Sequence, residues 1–139
     1  MLTAVQRLRL YSLSIVVVVL IVAIAFNVIA RRRLDDVRVL NEVRTFADSM
    51  EHYKQDTWQY PEQAPIDLRN TTVLTENGFA SGSRVYYRGA IKSHKPVVFK
   101  STSESYAISF SLRRAWPDEG LISKSCIMTQ NATLACSRQ

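Results

Sequence analysis

From residue 11 to residue 30 the chain is apolar on every side, with only Ser12, Ser14 and Asn27 as polar interruptions. At about 1.5 Å per residue that run makes a helix of about 30 Å, the thickness of a bilayer's hydrocarbon core. Beyond Arg31, Arg32 and Arg33 the pattern changes. Leu34, Val37, Leu40, Val43, Phe46, Ala47, Met50 and Tyr53 recur at steps of three and four, while Asp36, Glu42, Asp48, Glu51 and Asp56 occupy other faces. This spacing predicts an amphipathic stem helix over 31–56, its stripe forming the core of a domain. Pro61 restricts Tyr60 to extended geometry and ends the helix. Trp58 and Tyr60 are expected to fold back over that end as part of the core.

After Gly82 the period becomes two. Over 84–92, Val85, Tyr87 and Ile91 alternate with Arg84, Tyr86, Arg88 and Lys92, and Val97, Val98 and Phe99 make a second short strand. Tyr106, Ile108, Phe110 and Leu112 alternate with Ala107, Ser109, Ser111 and Arg113 in the clearest strand of the chain, whose apolar face should cover the stem. Residues 117–120 read as a turn and 121–125 as an edge strand; residues 126–136 read as a hairpin or a terminal loop. One helix on a small antiparallel sheet of three to four strands is an α+β plan. The expected order is a short tail (1–10), a membrane helix (11–30), the stem (31–56) and a globular head (57–139).

Charge changes meaning with location. The net charge is +6, but five of the eighteen basic residues (Arg7, Arg9, Arg31, Arg32 and Arg33) flank the apolar run, and all twelve acids follow Leu34. The head and stem are close to neutral, so the basic balance reports membrane flanks rather than nucleic acid. A cleaved secretory signal would have a shorter apolar region and a small-residue cut site, whereas three arginines follow this run. A retained anchor is expected. Cys126 and Cys136 lack nearby His or a CxxC spacing and make a poor zinc site. With the head outside the cytoplasm they would pair in a disulfide; two unpaired thiols, or pairing with a partner chain, are the alternatives.

The stretch 34–61 carries a resemblance. It resembles the stem of type IV pilins and type II secretion pseudopilins, where a membrane helix continues into an amphipathic half and ends in a Tyr-Lys-x-Asp-x-x-x-Tyr-Pro phrase. Tyr53, Lys54, Asp56, Tyr60 and Pro61 stand at those positions. "SYAISFSL" is similar to the central strand phrase of such heads. The resemblance implies a pilin-like fold and partners that are like or related pilin-type subunits. Two positions depart from the pattern: Leu10 replaces the Gly that precedes the family's cleavage point, and Ile15 replaces its buried Glu, although Tyr11, Ser12 and Leu13 echo the residues around them. The resemblance therefore implies an uncleaved chain and a minor or membrane-resident member.

No catalytic constellation emerges, and no enzyme is expected. His52 and His94 read as exposed or capping residues, and no Gly-rich phosphate loop occurs. No cofactor is expected. Calcium is a further hypothesis at Asp118 and Glu119, since some pseudopilin heads bind it in a C-terminal loop, yet two adjacent acids fall short of its ligand number. Asn70 and Asn131 start N-x-Thr sequences, read as polar loop residues. The most distinctive polar feature is the acid-free segment 84–100, where Arg84, Tyr86, Arg88 and Lys92 share one strand face and could bind an anionic ligand. A solvated sheet face, or a contact to acidic stem residues, is the plainer reading. Two functions follow: a structural subunit of a pilin-like filament or pseudopilin complex, single-pass in the cell membrane with its C-terminal domain extracytoplasmic; or an anchored monomer presenting its basic strand to DNA or another anionic polymer.

Overall fold

The computed structural model describes residues 4–115 and 124–137, with side chains from residue 13 onward. The turn expected at 117–120, most of the strand expected at 121–125 and the Asp118–Glu119 pair lie outside the described residues. Helix α1 (Ala4–Thr57) is continuous, starting within the stretch expected to be a tail. The chain divides into two units, residues 1–34 and residues 35–139.

The first unit is the apolar part of α1. Its large side chains from Leu13 to Ile29 are exposed.

Among the described residues the second unit contains the rest of α1 and seven strands: β1 (Gln63–Asp67), β2 (Thr72–Thr75), β3 (Val85–Gly89), β4 (Val98–Ser101), β5 (Tyr106–Ser111), β6 (Ser125–Thr129) and β7 (Thr133–Ser137). Five form one antiparallel sheet in the order β1-β4-β5-β6-β7, and β2 and β3 form a separate hairpin pair. The α+β plan is the observed one, with more strands than the three to four expected. β1 was hidden by Pro65, which demotes a run to an edge strand. β2 was hidden by its polar ends, since Thr72 and Thr75 are buried; Thr75 donates its hydroxyl to the Ala80 carbonyl at 2.8 Å.

The stem buries Val39, Leu40, Val43, Phe46, Ala47, Met50 and Tyr53 against Phe99, Tyr106, Ile108, Phe110 and Met128 of the sheet. Phe46 sits at the centre, its ring edge-on to Tyr87 at 4.9 Å and to Phe99 at 5.1 Å. Such pairs add to the area term that drives burial. β5 alternates as its sequence predicts, with Tyr106, Ile108 and Phe110 inside.

Two positions of the expected stripe are not on it: Leu34 is 69% and Val37 39% exposed. Three-residue steps lose about 60° each on a 3.6-residue helix, so Leu34 lies about 180° and Val37 about 120° from Val43. The same geometry puts Asp36 within about 20° of Val43, on the buried face rather than on another one. It is buried. At the other end Tyr60 is buried as expected, but Trp58 is 89% exposed and outside the core.

Candidate functional site

The first candidate surface is the apolar part of α1. It is one helix long and apolar enough to cross a membrane by length and composition. Ile15, at the position where the resembling families hold a carboxylate, is an exposed apolar residue. Leu10 and Tyr11 are helical in backbone, and their side chains lie outside the described set.

The basic strand is arranged differently from its alternation. β3 is outside the five-stranded sheet, and its two tyrosines both turn to the core: Tyr87 to Phe46, and Tyr86 edge-on to Tyr53 at 5.4 Å. The Arg84 guanidinium pairs with the Asp56 carboxylate at 2.8 Å and lies over the Tyr86 ring, whose hydroxyl donates to the same carboxylate at 2.7 Å. That bond raises the Tyr86 hydroxyl above its ordinary pKa. Half of the four-residue group is thus engaged with the stem's own acid. Arg88 is exposed on β3, and Lys92 follows the strand, its backbone N–H donating to the Glu42 carboxylate at 2.7 Å. The four residues do not share one open face.

Two stem carboxylates that sequence reasoning assigned to other faces organise the head. Asp36 accepts backbone N–H groups of Arg113 at 2.6 Å and Arg114 at 3.2 Å, beyond the end of β5. Glu51 accepts the Tyr60 hydroxyl at 3.0 Å, the Tyr106 hydroxyl at 3.1 Å and the Asn131 backbone N–H at 2.8 Å. One side chain therefore ties the stem to the chain after the helix, to β5 and to the tip of the β6–β7 hairpin. Burial first, then the bond to Glu51 and its charge, raises the Tyr60 hydroxyl above the ordinary tyrosine range; burial and the Glu51 charge do the same to Tyr106. The missed signal was angular, as Glu51 lies about 80° from Val43, at the border of the stripe. A buried tyrosine hydroxyl also needs a partner, and Tyr60 is close enough in sequence to have pointed to one.

A third carboxylate shapes the loop before β3. Glu76 accepts the Ser83 and Arg84 backbone N–H groups, each at 2.7 Å, and the Ser83 hydroxyl at 2.9 Å. These donors, the Ser83 backbone first, lower its pKa to about 2.

Cys126 and Cys136 face each other across the β6–β7 hairpin and form a disulfide, their Cα atoms 4.0 Å apart. The residues expected to enclose a hairpin or terminal loop enclose a hairpin. At its tip Asn131 and Ala132 both have positive φ, 59° and 52°. Asn70 lies in the turn before β2, and among the described residues no His, Cys, Asp or Glu cluster could hold a metal ion. Burial, then the nearby Arg113 cation, lowers the His94 imidazole below its ordinary pKa.

No protein-family model, curated protein or solved structure matches the chain.

Proposed function

We propose that this chain is a structural subunit of a pilin-like filament or pseudopilin complex, minor or membrane-resident, with its head outside the cytoplasm. One observation carries the reading: a single helix holds an exposed apolar run long enough for a bilayer and then a buried stripe beneath an antiparallel sheet. The stem phrase ending at Tyr60 and Pro61 supports it, because Tyr60 closes the helix end onto Glu51. Between anchored helices the driving force is close packing in lipid, since hydrocarbon chains are as apolar as Val or Leu. The Cys126–Cys136 disulfide agrees with an oxidising compartment.

A photoreactive residue at Val18, in the exposed run, tests assembly in the host's own membranes. A ladder of discrete adducts is expected, and adduct-free monomer would overturn the reading. Mass spectrometry of the native chain is expected to find residues 1–10 attached, because Leu10 fills the place of the small residue before the cut. A chain that starts at Tyr11 would refute the uncleaved form. The anionic-polymer reading has less support, since Arg84 and Tyr86 are held by Asp56. Salt-sensitive DNA retention lost in Arg84→Ala and Arg88→Ala would revive it.

A further inference from the structure

Two N-x-Thr sequences open in exposed turns of the head, at Asn70 and Asn131, and the fold presents them differently. An enzyme that loads a glycan onto asparagine must reach both the carboxamide and the hydroxyl two residues on, so the pattern is usable only where the surface bares both. The two asparagines are alike in exposure, but their threonines are not. Thr72 is 9% exposed and sits opposite Gly89 in the β2–β3 ladder, and its hydroxyl donates to the Asn70 carbonyl at 3.0 Å. Thr133 is exposed at the start of β7, and its hydroxyl has no partner among the described residues. Leu134 and Cys136 pack against the core, so the two-residue alternation of a strand puts Thr133 on the outer face. β7 also ends the strand order, and among the described residues no further strand screens it.

Asn131 is fixed by its backbone and not by its side chain. Its N–H donates to the Glu51 carboxylate at 2.8 Å, and its φ of 59° is one that asparagine tolerates better than most residues. Neither role uses the carboxamide, which is exposed and without a partner among the described residues. A group added to that carboxamide leaves the Glu51 bond, and so the seating of the hairpin tip, intact.

We propose that Asn131 accepts an N-linked glycan on the folded head and that Asn70, whose threonine is covered, does not. The donor is an oligosaccharide carried on a lipid pyrophosphate and transferred by a membrane glycosyltransferase. The Asn131 nitrogen bonds to the anomeric carbon of the sugar. The bond from that carbon to the pyrophosphate oxygen breaks, its electron pair leaving with the oxygen, and the amide gives up one proton. Nothing is oxidised or reduced. The assignment rests on the placement of the head outside the cytoplasm proposed above, where such a transfer takes place.

Trypsin divides the two sites between peptides 70–84 and 125–138 of the chain isolated from its host. Mass spectrometry is expected to find a glycan on 125–138, placed on Asn131 by fragmentation, with 70–84 at its bare mass. The glycan is expected to vanish in Asn131→Gln and in Thr133→Val, and to remain in Thr133→Ser. A threonine needed only for its strand would rank the last two the other way, since valine suits a strand better than serine. An amine reagent that does not cross the cytoplasmic membrane, applied to spheroplasts, is expected to label the exposed Lys100. Labelled Lys100 with a bare 125–138 would overturn the glycan and leave the placement of the head standing, whereas unlabelled Lys100 would overturn both. A glycan on Asn70, or one on Asn131 that survives Thr133→Val, would overturn the selection argued from the two threonines.

Discussion

The two parts of α1 use apolar residues in opposite ways. From Leu13 to Ile29 large apolar side chains face outward all round the helix; from Val39 to Tyr53 they lie on one face and are covered. The second part also carries carboxylates at the centre and border of its buried face: Asp36 and Glu51 hold backbone and tyrosine donors of the head. Apolar content alone does not determine burial here. A lipid-facing helix needs no polar positions of its own, whereas a helix that must seat a sheet in one register gains specificity from carboxylates aimed at particular donors.

A matched pair of substitutions probes this most strongly. Phe46→Ala removes a fully buried ring and is expected to cost the head about 3–5 kcal/mol in urea unfolding. Phe26→Ala removes a ring that is 72% exposed and is expected to leave head unfolding unchanged. Equal losses from the two would break the comparison.

Glu51→Ala comes next. It leaves the Tyr60 and Tyr106 hydroxyls and the Asn131 N–H without their acceptor, and is expected to cost about 2–4 kcal/mol in the same measurement. The loss should be visible as faster amide exchange at the β6–β7 tip. A change of a few tenths of a kcal/mol, with that tip still protected, would reduce Glu51 to a surface contact.

The same carboxylate predicts an alkaline response. Tyr60 and Tyr106 ionise above the ordinary value of 10.0 in the folded head, so folding binds their protons more tightly than the unfolded chain does. Their stabilisation is complete below about pH 10 and falls as pH rises through the raised folded values, by at most about 1.4 kcal/mol per pH unit for each tyrosine. Urea midpoints from pH 9 to pH 12 check the sign. In Glu51→Ala the fall is expected to be shallower, since burial alone then holds the shift.

Much of this was legible in the chain. The stripe from Leu40 to Tyr53 and the alternation of β5 are strong periodic signals, and both are buried as written. Leu34 and Val37 misled because repeated three-residue steps drift around a helix. Asp36 misled because an acid inside a stripe reads as solvent-facing until its angle is measured. For the basic strand, alternation described the residues but not their partner: Asp56 lies thirty residues from Tyr86 in sequence, and no local pattern announces that pairing. β7 was obscured because Thr, Ala and Ser give a strand face no hydrophobic contrast.

The end of the stem offers the smallest test. Trp58 follows the last helical residue with φ of 68°, and its N–H donates to the Lys54 carbonyl at 2.7 Å. This is the left-handed cap in which glycine is the usual residue, because a Cβ there crowds the following carbonyl. The indole is exposed and contributes little packing in return, in contrast to Tyr60 two residues on, whose hydroxyl reaches Glu51. Trp58→Gly is therefore expected to raise head stability by about 1 kcal/mol, the relief of backbone strain less the added freedom of the unfolded glycine. Trp58→Ala keeps the Cβ and is expected to gain nothing. A loss in Trp58→Gly would mean that the exposed indole stabilises the cap, and the contrast between Trp58 and Tyr60 would fail at its simplest point.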